Sequence, residues 1–311
     1  MVKALVTGAA GFIGSNIAEA LASEGANVIA VDCLTDYYDP AVKEKRLQLL
    51  ASQGVEVRRE DLLVADLDEL MDGTDYVYHQ AGQPGVRPSW GTNFSQYSRN
   101  NVDLTQRLLE AARKAQSLER FVYASSSSIY GNALSYPVSE AHLPGPMSPY
   151  GVTKLAAEHL CGLYAENYGV PSVSLRYFTV YGPGQRPDMA FSKFIAAIKS
   201  GQDIEVYGDG EQVRDFTFVS DVVSANLAAA KSDVRPGSVL NVCGGGSVTV
   251  NETLEMLKQI SGADISVRRG ETVPGDVRRT GGDNSLICSV MDWQPKVSIE
   301  EGLRRQFEMS I

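Results

Sequence analysis

The sequence predicts an α/β fold, a doubly wound parallel sheet with a smaller α/β lobe interleaved through it. Short β-rich runs alternate with helical patterns through the first half, a glycine-rich turn joins the first run to the first helix, and beyond about residue 176 Gly/Pro-rich loops take over. Alternation of this kind builds βαβ units, which set successive strands parallel and lay helices over the sheet faces. The strand runs fall at 4–7, 27–31, 55–58, 76–79, 120–124 and 173–177. Between them, Ile13, Ile17 and Leu21 give the first helix an apolar stripe at i, i+4 and i+8, and Leu104, Leu108, Ala111 and Ala112 stripe a later one. Loops at 181–188 and 208–211 and a loop-rich stretch at 262–280 mark the smaller lobe, while the run 239–242 and the helical pattern 221–231 return to the sheet. The expected division is 1–176 with about 217–244 for the sheet domain, and 177–216 with 245–311 for the lobe.

A formal net charge of −10 with no Lys/Arg run argues against a general nucleic-acid or anionic-membrane binder, because nothing in the chain can neutralise a phosphate backbone. An anionic ligand must then be met by local positive charge. Cys33, Cys161, Cys243 and Cys288 are scattered, with no C-x-x-C and no His at metal spacing. Reduced thiols, no metal site and a cytoplasmic setting are therefore expected. The N-terminus enters a strand too early for a signal peptide, and no apolar stretch reaches about 18 residues, the length a membrane span needs.

Thr7-Gly-Ala-Ala-Gly-Phe-Ile-Gly14 follows the first strand and opens the first helix. In that context Gly8 permits a tight turn, Gly11 lets backbone approach a pyrophosphate across the helix N-terminus with Phe12 and Ile13, and Gly14 allows close helix–strand packing. Asp32, at the end of the second strand, can accept from a ribose 2′-hydroxyl and would repel a 2′-phosphate, which selects NAD over NADP. Asp61 and Leu62 after the third strand can meet the adenine edge, although an aspartate there also suits a turn or cap. Ala81, Gly82 and Gln83 after the fourth strand let a dinucleotide lie close to the backbone.

Tyr150-Gly-Val-Thr-Lys154 opens a helix for which Ser148 is a suitable N-cap and Pro149 a suitable first residue. At i, i+4 the two side chains share a face, about 5–6 Å apart at Cβ. A cation and the positive end of a helix dipole beside a phenol favour phenolate, and such a tyrosine can take a proton from an alcohol.

Together the G-x-x-G-x-x-G spacing, Asp32, the serine run at 125–128 and the Tyr150/Lys154 pair resemble the extended short-chain dehydrogenase/reductase family of nucleotide-sugar epimerases, dehydratases and decarboxylases, over essentially the whole chain. The resemblance implies a Rossmann domain that binds NAD and a UDP-sugar-binding lobe. It also implies that Lys154 bonds the nicotinamide ribose and lowers the Tyr150 pKa, that Asn101 supports the helix geometry, and that Tyr177 joins the cofactor set. Leu104 stands where many relatives have glycine. Dimerisation through helices spanning about 95–115 and 149–168 is likewise implied, giving a homodimer.

Family members begin by moving a hydride from a sugar carbon to NAD while the tyrosine takes the hydroxyl proton. Dehydratases of the family carry Asp-Glu at the positions of Ser127 and Ser128, and decarboxylases carry Glu at Ser128; this chain has neither acid. Serine is too weak an acid to replace them, so hydride return to the opposite face, epimerisation, is the expected outcome, with Ser126 sharing the reacting proton with Tyr150. The resemblance further implies that Arg214 grips the diphosphate and that Ala190, Phe191, Val206 and Tyr207 belong to segments framing uracil. Arg268, Arg269, Arg278 and Arg279 are additional phosphate candidates, and Asp276 joins the substrate-binding set.

The segments Asp36-Tyr-Tyr-Asp-Pro-Ala-Val-Lys43, Gly85-Val-Arg-Pro-Ser-Trp90 and 177–191 resemble UDP-glucuronate 4-epimerases more than UDP-glucose 4-epimerases. Neutral-sugar enzymes usually have asparagine where this chain has Thr179. Arg186 is then the bidentate partner for a C5 carboxylate, helped by Ser127, Ser128 and Thr179. Gly184 stands where many relatives have arginine, and Arg87 is a candidate to compensate. UDP-glucose 4-epimerase, UDP-glucuronate decarboxylase and a catalytically silent NAD-binding sensor or scaffold are the alternative readings.

Overall fold

The computed structural model describes residues 1–244, 246–271 and 277–310. Its centre is a seven-stranded, all-parallel sheet made of β1 (Lys3–Thr7), β2 (Asn27–Val31), β3 (Glu56–Arg58), β4 (Tyr76–His79), β5 (Arg120–Ser126), β6 (Ser172–Tyr177) and β10 (Ser238–Val242). The order across it is β10-β6-β5-β4-β1-β2-β3, so the direction of strand progression reverses between β1 and β4. Both faces are covered. Ala4 and Val6 of β1 enter one core with Val28, Tyr78 and Val122, while the intervening Leu5 enters a second with Ile29, Val77 and Phe121. Alternate residues buried on opposite faces are what a doubly covered parallel sheet requires.

Helices α1 (Phe12–Ser23), α2 (Pro40–Ser52) and α8 (Val219–Lys231) pack over the first core; α3 (Leu67–Met71), α5 (Leu104–Ala112) and α6 (Pro149–Tyr168) pack over the second. A short α4 (Phe94–Tyr97) runs into α5 through a π-helical turn, Ser98–Asp103. Strand β5 outruns the expected 120–124 because Ser125 and Ser126 continue the ladder opposite Arg176 and Tyr177. Serine is a poor strand former on its own, and pairing overrides it. Helix α6 begins as the sequence implies, with the Ser148 hydroxyl accepting from the Gly151 N–H at 3.1 Å and Pro149 first, and it ends at Gly169 in the left-handed region, φ 71°.

Outside the main sheet, β7 (Thr179–Tyr181), β9 (Val213–Phe218) and β11 (Ser247–Thr249) form a three-stranded sheet, and β8 (Ile204–Tyr207) pairs with β12 (Val267–Gly270). Around them lie α7 (Ala190–Ser200), α9 (Val250–Ser261), α10 (Ser285–Val290) and α11 (Ile299–Met309). Helix α8 follows β9 directly and carries the chain back to the sheet. The observed architecture is thus the α/β class expected, with a smaller interleaved lobe.

Asp215 on β9 joins these parts. Its carboxylate accepts from Gly244 N–H at 3.0 Å and Gly282 N–H at 3.1 Å while the side chain is 1% exposed. Burial raises its pKa from 3.8 to about 6, against the lowering effect of those two bonds. A carboxyl raised on folding stabilises most below its unfolded value and loses that contribution as pH rises through its folded value. Thermal stability should therefore carry a component that falls between about pH 4 and about pH 6. Asp215→Asn should be less stable overall yet lack that slope, measured by melting temperature across pH.

Candidate active site

The ends of β1, β2, β3, β4, β5 and β6 open into a cavity of about 460 Å³, on the carboxyl side of the sheet and across the β1/β4 reversal. Its floor is the Gly8–Gly14 turn. Gly8 has φ 67°, and a Cβ there would lie 2.7 Å from Ala81 N; a Cβ at Gly14 would lie 2.3 Å from the Gly8 carbonyl oxygen. Gly11 caps α1 without a side-chain hydrogen bond, and no acidic residue stands in the first turn. The helix therefore presents backbone N–H groups of Phe12, Ile13 and Gly14 to the cavity, a ready anion site. Asp32 lines the same space, accepting from Ala10 N at 3.0 Å and Leu34 N at 2.8 Å. Asp61 also lines it while closing a turn onto Leu63 N at 2.9 Å, and Leu62 is buried beside it.

The opposite wall is held by Asn101, which sits in the π-helical turn and is 2% exposed. Its Oδ1 accepts from Gln83 N at 2.7 Å, and its Nδ2 donates to Gln83 O at 3.1 Å and Thr153 Oγ1 at 2.9 Å. The extra residue of a π-turn re-aims one side chain inward, and here that side chain ties the loop bearing Ala81, Gly82 and Gln83 to the first turn of α6. A Cβ on Gly82 would come within 2.8 Å of Asn101 Oδ1. Tyr177 closes the rear, its hydroxyl donating to Asn226 Oδ1 at 2.9 Å.

Tyr150, Lys154 and Ser126 all line the cavity. The phenol shares this space with Ser126, whose Oγ accepts from Ser128 N at 3.1 Å, and its ring meets Tyr97 edge-on at 6.3 Å. Burial raises the Tyr150 pKa, the reverse of the expected lowering, and Ser126 and the Arg186 charge offset only part of that. Lys154 is not paired with the phenol here. Its Nζ lies 4.6 Å from the centre of the Tyr123 ring, and burial lowers its pKa to about 8.

A second cavity of about 180 Å³ adjoins the first, sharing Val86, Ser127, Ser128 and Thr179 and adding Arg87 and Arg214. The structure thus brings together the serine run, the threonine and two of the expected arginines. Arg186 lines the first cavity with Tyr150. Tyr207 stands beside this group through its ring, 4.4 Å from the Arg87 guanidinium. Phe191 and Val206 turn their side chains into the core, 2% and 1% exposed, with Phe191 packed 4.4 Å from Phe216. Ala190 is exposed at the start of α7 and lines neither cavity. Arg278 is engaged by Asp209 at 2.7 Å and Arg268 by Glu205 at 3.6 Å, both at the surface, and Arg279 lies over the Tyr136 ring. Asp276 falls outside the described residues.

Some wall residues carry no motif of their own. Thr35, Tyr37, Tyr38 and Lys43 line the cavity, and behind them Arg46 bonds the carbonyls of Ala10 and Gly184. The Asp36–Lys43 segment signals its importance only by resemblance, and Arg46 reads as an ordinary helix-surface residue.

The NAD dependent epimerase/dehydratase family model matches residues 4–243, and the chain belongs to that family. It is 40% identical over 310 residues to a Bacillus subtilis (strain 168) protein named as an uncharacterized UDP-glucose epimerase, covering 98% of this chain and 96% of the relative. It is 35% identical over 311 residues to a UDP-glucuronate 4-epimerase of Thermodesulfobacterium geofontis, covering 98% and 95%. The crystal structure of UDP-glucuronic acid 4-epimerase from Bacillus cereus in complex with UDP-glucuronic acid and NAD superposes with a TM-score of 0.95 at 41% identity, covering 99% of this chain and 98% of that one.

The protein is an NAD-dependent enzyme, and its residues fit the cofactor: Gly8 and Gly14 of the cradle have no room for a side chain, and α1 offers open donors to a diphosphate. Gly14→Ala should force the turn off Gly8, since a Cβ at 2.3 Å from a backbone oxygen cannot be absorbed by a side-chain shift. Calorimetric titration should show NAD affinity falling at least about tenfold, a loss of about 1.4 kcal/mol.

Proposed function

We propose that the chain catalyses reversible C4 epimerisation of UDP-glucuronate to UDP-galacturonate through a 4-keto intermediate. The observation that carries this reading is the composition of one cavity: Tyr150, Lys154 and Ser126 share it with Ser127, Ser128, Thr179 and Arg186, and its acids, Asp32, Glu60 and Asp61, follow β2 and β3 rather than the serine run. The family's dehydratase and decarboxylase acids are absent from the serine run, and the charge complement suits a carboxylated sugar. The closely matching relatives named as UDP-glucuronate 4-epimerases support it.

In the proposed mechanism Tyr150, linked to Ser126, takes the proton of the C4 hydroxyl and later returns one to the opposite epimer. Bound NAD supplies a reversible hydride acceptor. Lys154 would hold the nicotinamide ribose and lend its charge to the phenolate. Arg214 and Arg87 hold the diphosphate while the sugar turns over, so the nucleotide is the fixed end of the ligand. The 4-ketone of a uronate is a β-keto acid that loses carbon dioxide when its C–CO₂ bond aligns with the carbonyl π system. Arg186, Ser127, Ser128 and Thr179 hold the carboxylate out of that alignment.

The division into a cofactor domain (1–176 with about 217–244) and a sugar lobe is part of this reading, supported by the strand membership of the three sheets. A homodimer is proposed through α6 and the helical segment from α4 to α5. Val152, His159 and Leu163 are exposed on α6, and Phe94 is exposed on α4, which leaves an apolar face. A cytoplasmic site is supported by four scattered cysteines, none of them in a disulfide.

Incubation with UDP-glucuronate should yield UDP-galacturonate without carbon dioxide, followed by chromatography of the nucleotide sugars; released carbon dioxide, or turnover of UDP-glucose alone, would overturn the reading. Arg186→Ala should raise the share of 4-keto-pentose product or abolish uronate binding. For the assembly, Leu163→Glu should shift the protein from dimer to monomer mass in light scattering, because a carboxylate in the centre of an apolar interface is left unpaired.

A further inference from the structure

Arg186 sits in the stretch Gly184-Gln-Arg-Pro-Asp188, and this stretch is fastened at both ends by the segment that follows β2. At the far end Asp188 takes the side-on edge of Arg186, Nε to Oδ1 and Nη2 to Oδ2, each at 2.9 Å. The intervening Pro187 fixes its own φ and stiffens the pair. Tyr37 completes this corner, its hydroxyl donating to Asp188 Oδ2 at 3.4 Å and its ring lying 5.6 Å from the Arg186 guanidinium. At the near end Arg46 donates to the Gly184 carbonyl with Nη2 and, with Nη1, to the Ala10 carbonyl at 3.2 Å and the Tyr38 hydroxyl at 3.3 Å. Ala10 lies within the glycine turn, so Arg46 ties that turn to the loop bearing Arg186. Gly184 has φ 78°, and a Cβ on it would sit 3.6 Å from Arg46 Nη2. The glycine that stands where many relatives have arginine is thus the place where a different arginine reaches in.

A guanidinium offers five N–H donors in a planar fork. Side-on pairing with Asp188 uses Nε and Nη2, and among the described residues Nη1 makes no hydrogen bond. Burial alone would raise the Asp188 carboxyl, but the hydrogen bonds and charge of Arg186 hold it below its ordinary value, so it is ionised at neutral pH. The Arg186–Asp188 pair carries no net charge. A carboxylate arriving on the sugar therefore meets directed donors, Nη1 with the hydroxyls of Ser127, Ser128 and Thr179, rather than an unbalanced cation.

We infer that Asp188 and Arg46 are positioning residues for Arg186: Arg46 fixes the loop to the cofactor turn, and Asp188 holds one edge of the guanidinium so that Nη1 is left for the sugar carboxylate. The inference rests on the reading of Arg186 as the carboxylate partner. It makes recognition of the uronate a matter of aim, and it separates uronate binding from binding of the nucleotide, since Asp188 and Arg46 line neither cavity.

The test uses the NAD-loaded enzyme and two readouts, the KM for UDP-glucuronate and the inhibition constant of UDP-glucose, which lacks the carboxylate. Asp188→Asn keeps the size of the side chain but loses the second anionic oxygen. It should raise the uronate KM at least about tenfold while leaving the UDP-glucose constant within about twofold, the pattern of a lost carboxylate contact. Arg46→Ala should give the same split. Equal weakening of both ligands would show general damage to the lobe, and a lowered uronate KM in D188N would show that Asp188 competes with the substrate; either overturns the inference, as does no change. Arg186→Ala run alongside separates the two claims. If it leaves the uronate KM unaltered, the carboxylate role of Arg186 fails; if it raises that KM while D188N and R46A do not, only the positioning role fails.

Discussion

The buried pair of Arg176 on β6 and Glu158 on α6 sets the geometry on which the rest of the site depends. Its two bonds, Nε to Oε2 at 2.9 Å and Nη2 to Oε1 at 2.6 Å, join side chains that are 6% and 3% exposed. Ser125 on β5 donates to the same carboxylate at 2.6 Å. Glu158 lies one helical turn beyond Lys154, so this junction fixes the rotation of α6 about its axis and with it the face that carries Tyr150 and Lys154. Such a pair gains little over apolar packing of equal volume, but loss of either partner strands a charge in the interior. It therefore specifies an arrangement more than it adds stability.

The junction does not end at the sheet. Arg176 Nη1 donates to the Tyr130 hydroxyl at 2.6 Å, Tyr130 donates to Asn241 Oδ1 at 2.7 Å, and Asn241 reaches the carbonyls of Val138 and Asp283. A single polar chain thus runs from α6 through β6 and β10 to segments bordering the smaller sheets. Asp215 does similar work from the other side by gathering Gly244 and Gly282. Interleaving of the lobes follows: the chain crosses between them several times, and each crossing is pinned by buried hydrogen bonds that would be costly to leave unmade.

Much of this was legible in the sequence. The strand runs at 27–31 and 76–79 coincide with β2 and β4, and α6 spans the expected residues with the expected cap. These are places where local propensity and tertiary packing agree. The serine end of β5 and the π-turn around Asn101 were not readable, because one comes from cross-strand pairing and the other from one extra residue within an otherwise regular helical pattern. The Tyr150 environment shows the same limit in electrostatics. Spacing reveals that a lysine shares its face, but only the three-dimensional surroundings show burial outweighing the helper charges and Lys154 resting on Tyr123. The burial of the Phe191 and Val206 side chains was likewise not readable, because a motif position says nothing of which atoms face inward.

The two halves of the cavity differ in how much change they can absorb. The cofactor floor is backbone against backbone, with Gly8 and Gly14 each blocked by main-chain atoms nearer than 3 Å. The opposite side is built from side chains: Ser127, Ser128, Thr179 and Arg186 line it from strand ends and a loop. Heritable variation is therefore channelled: a few side-chain tips can change while the backbone-built half stays constant. The fold holds one reaction still and leaves its clientele open to revision.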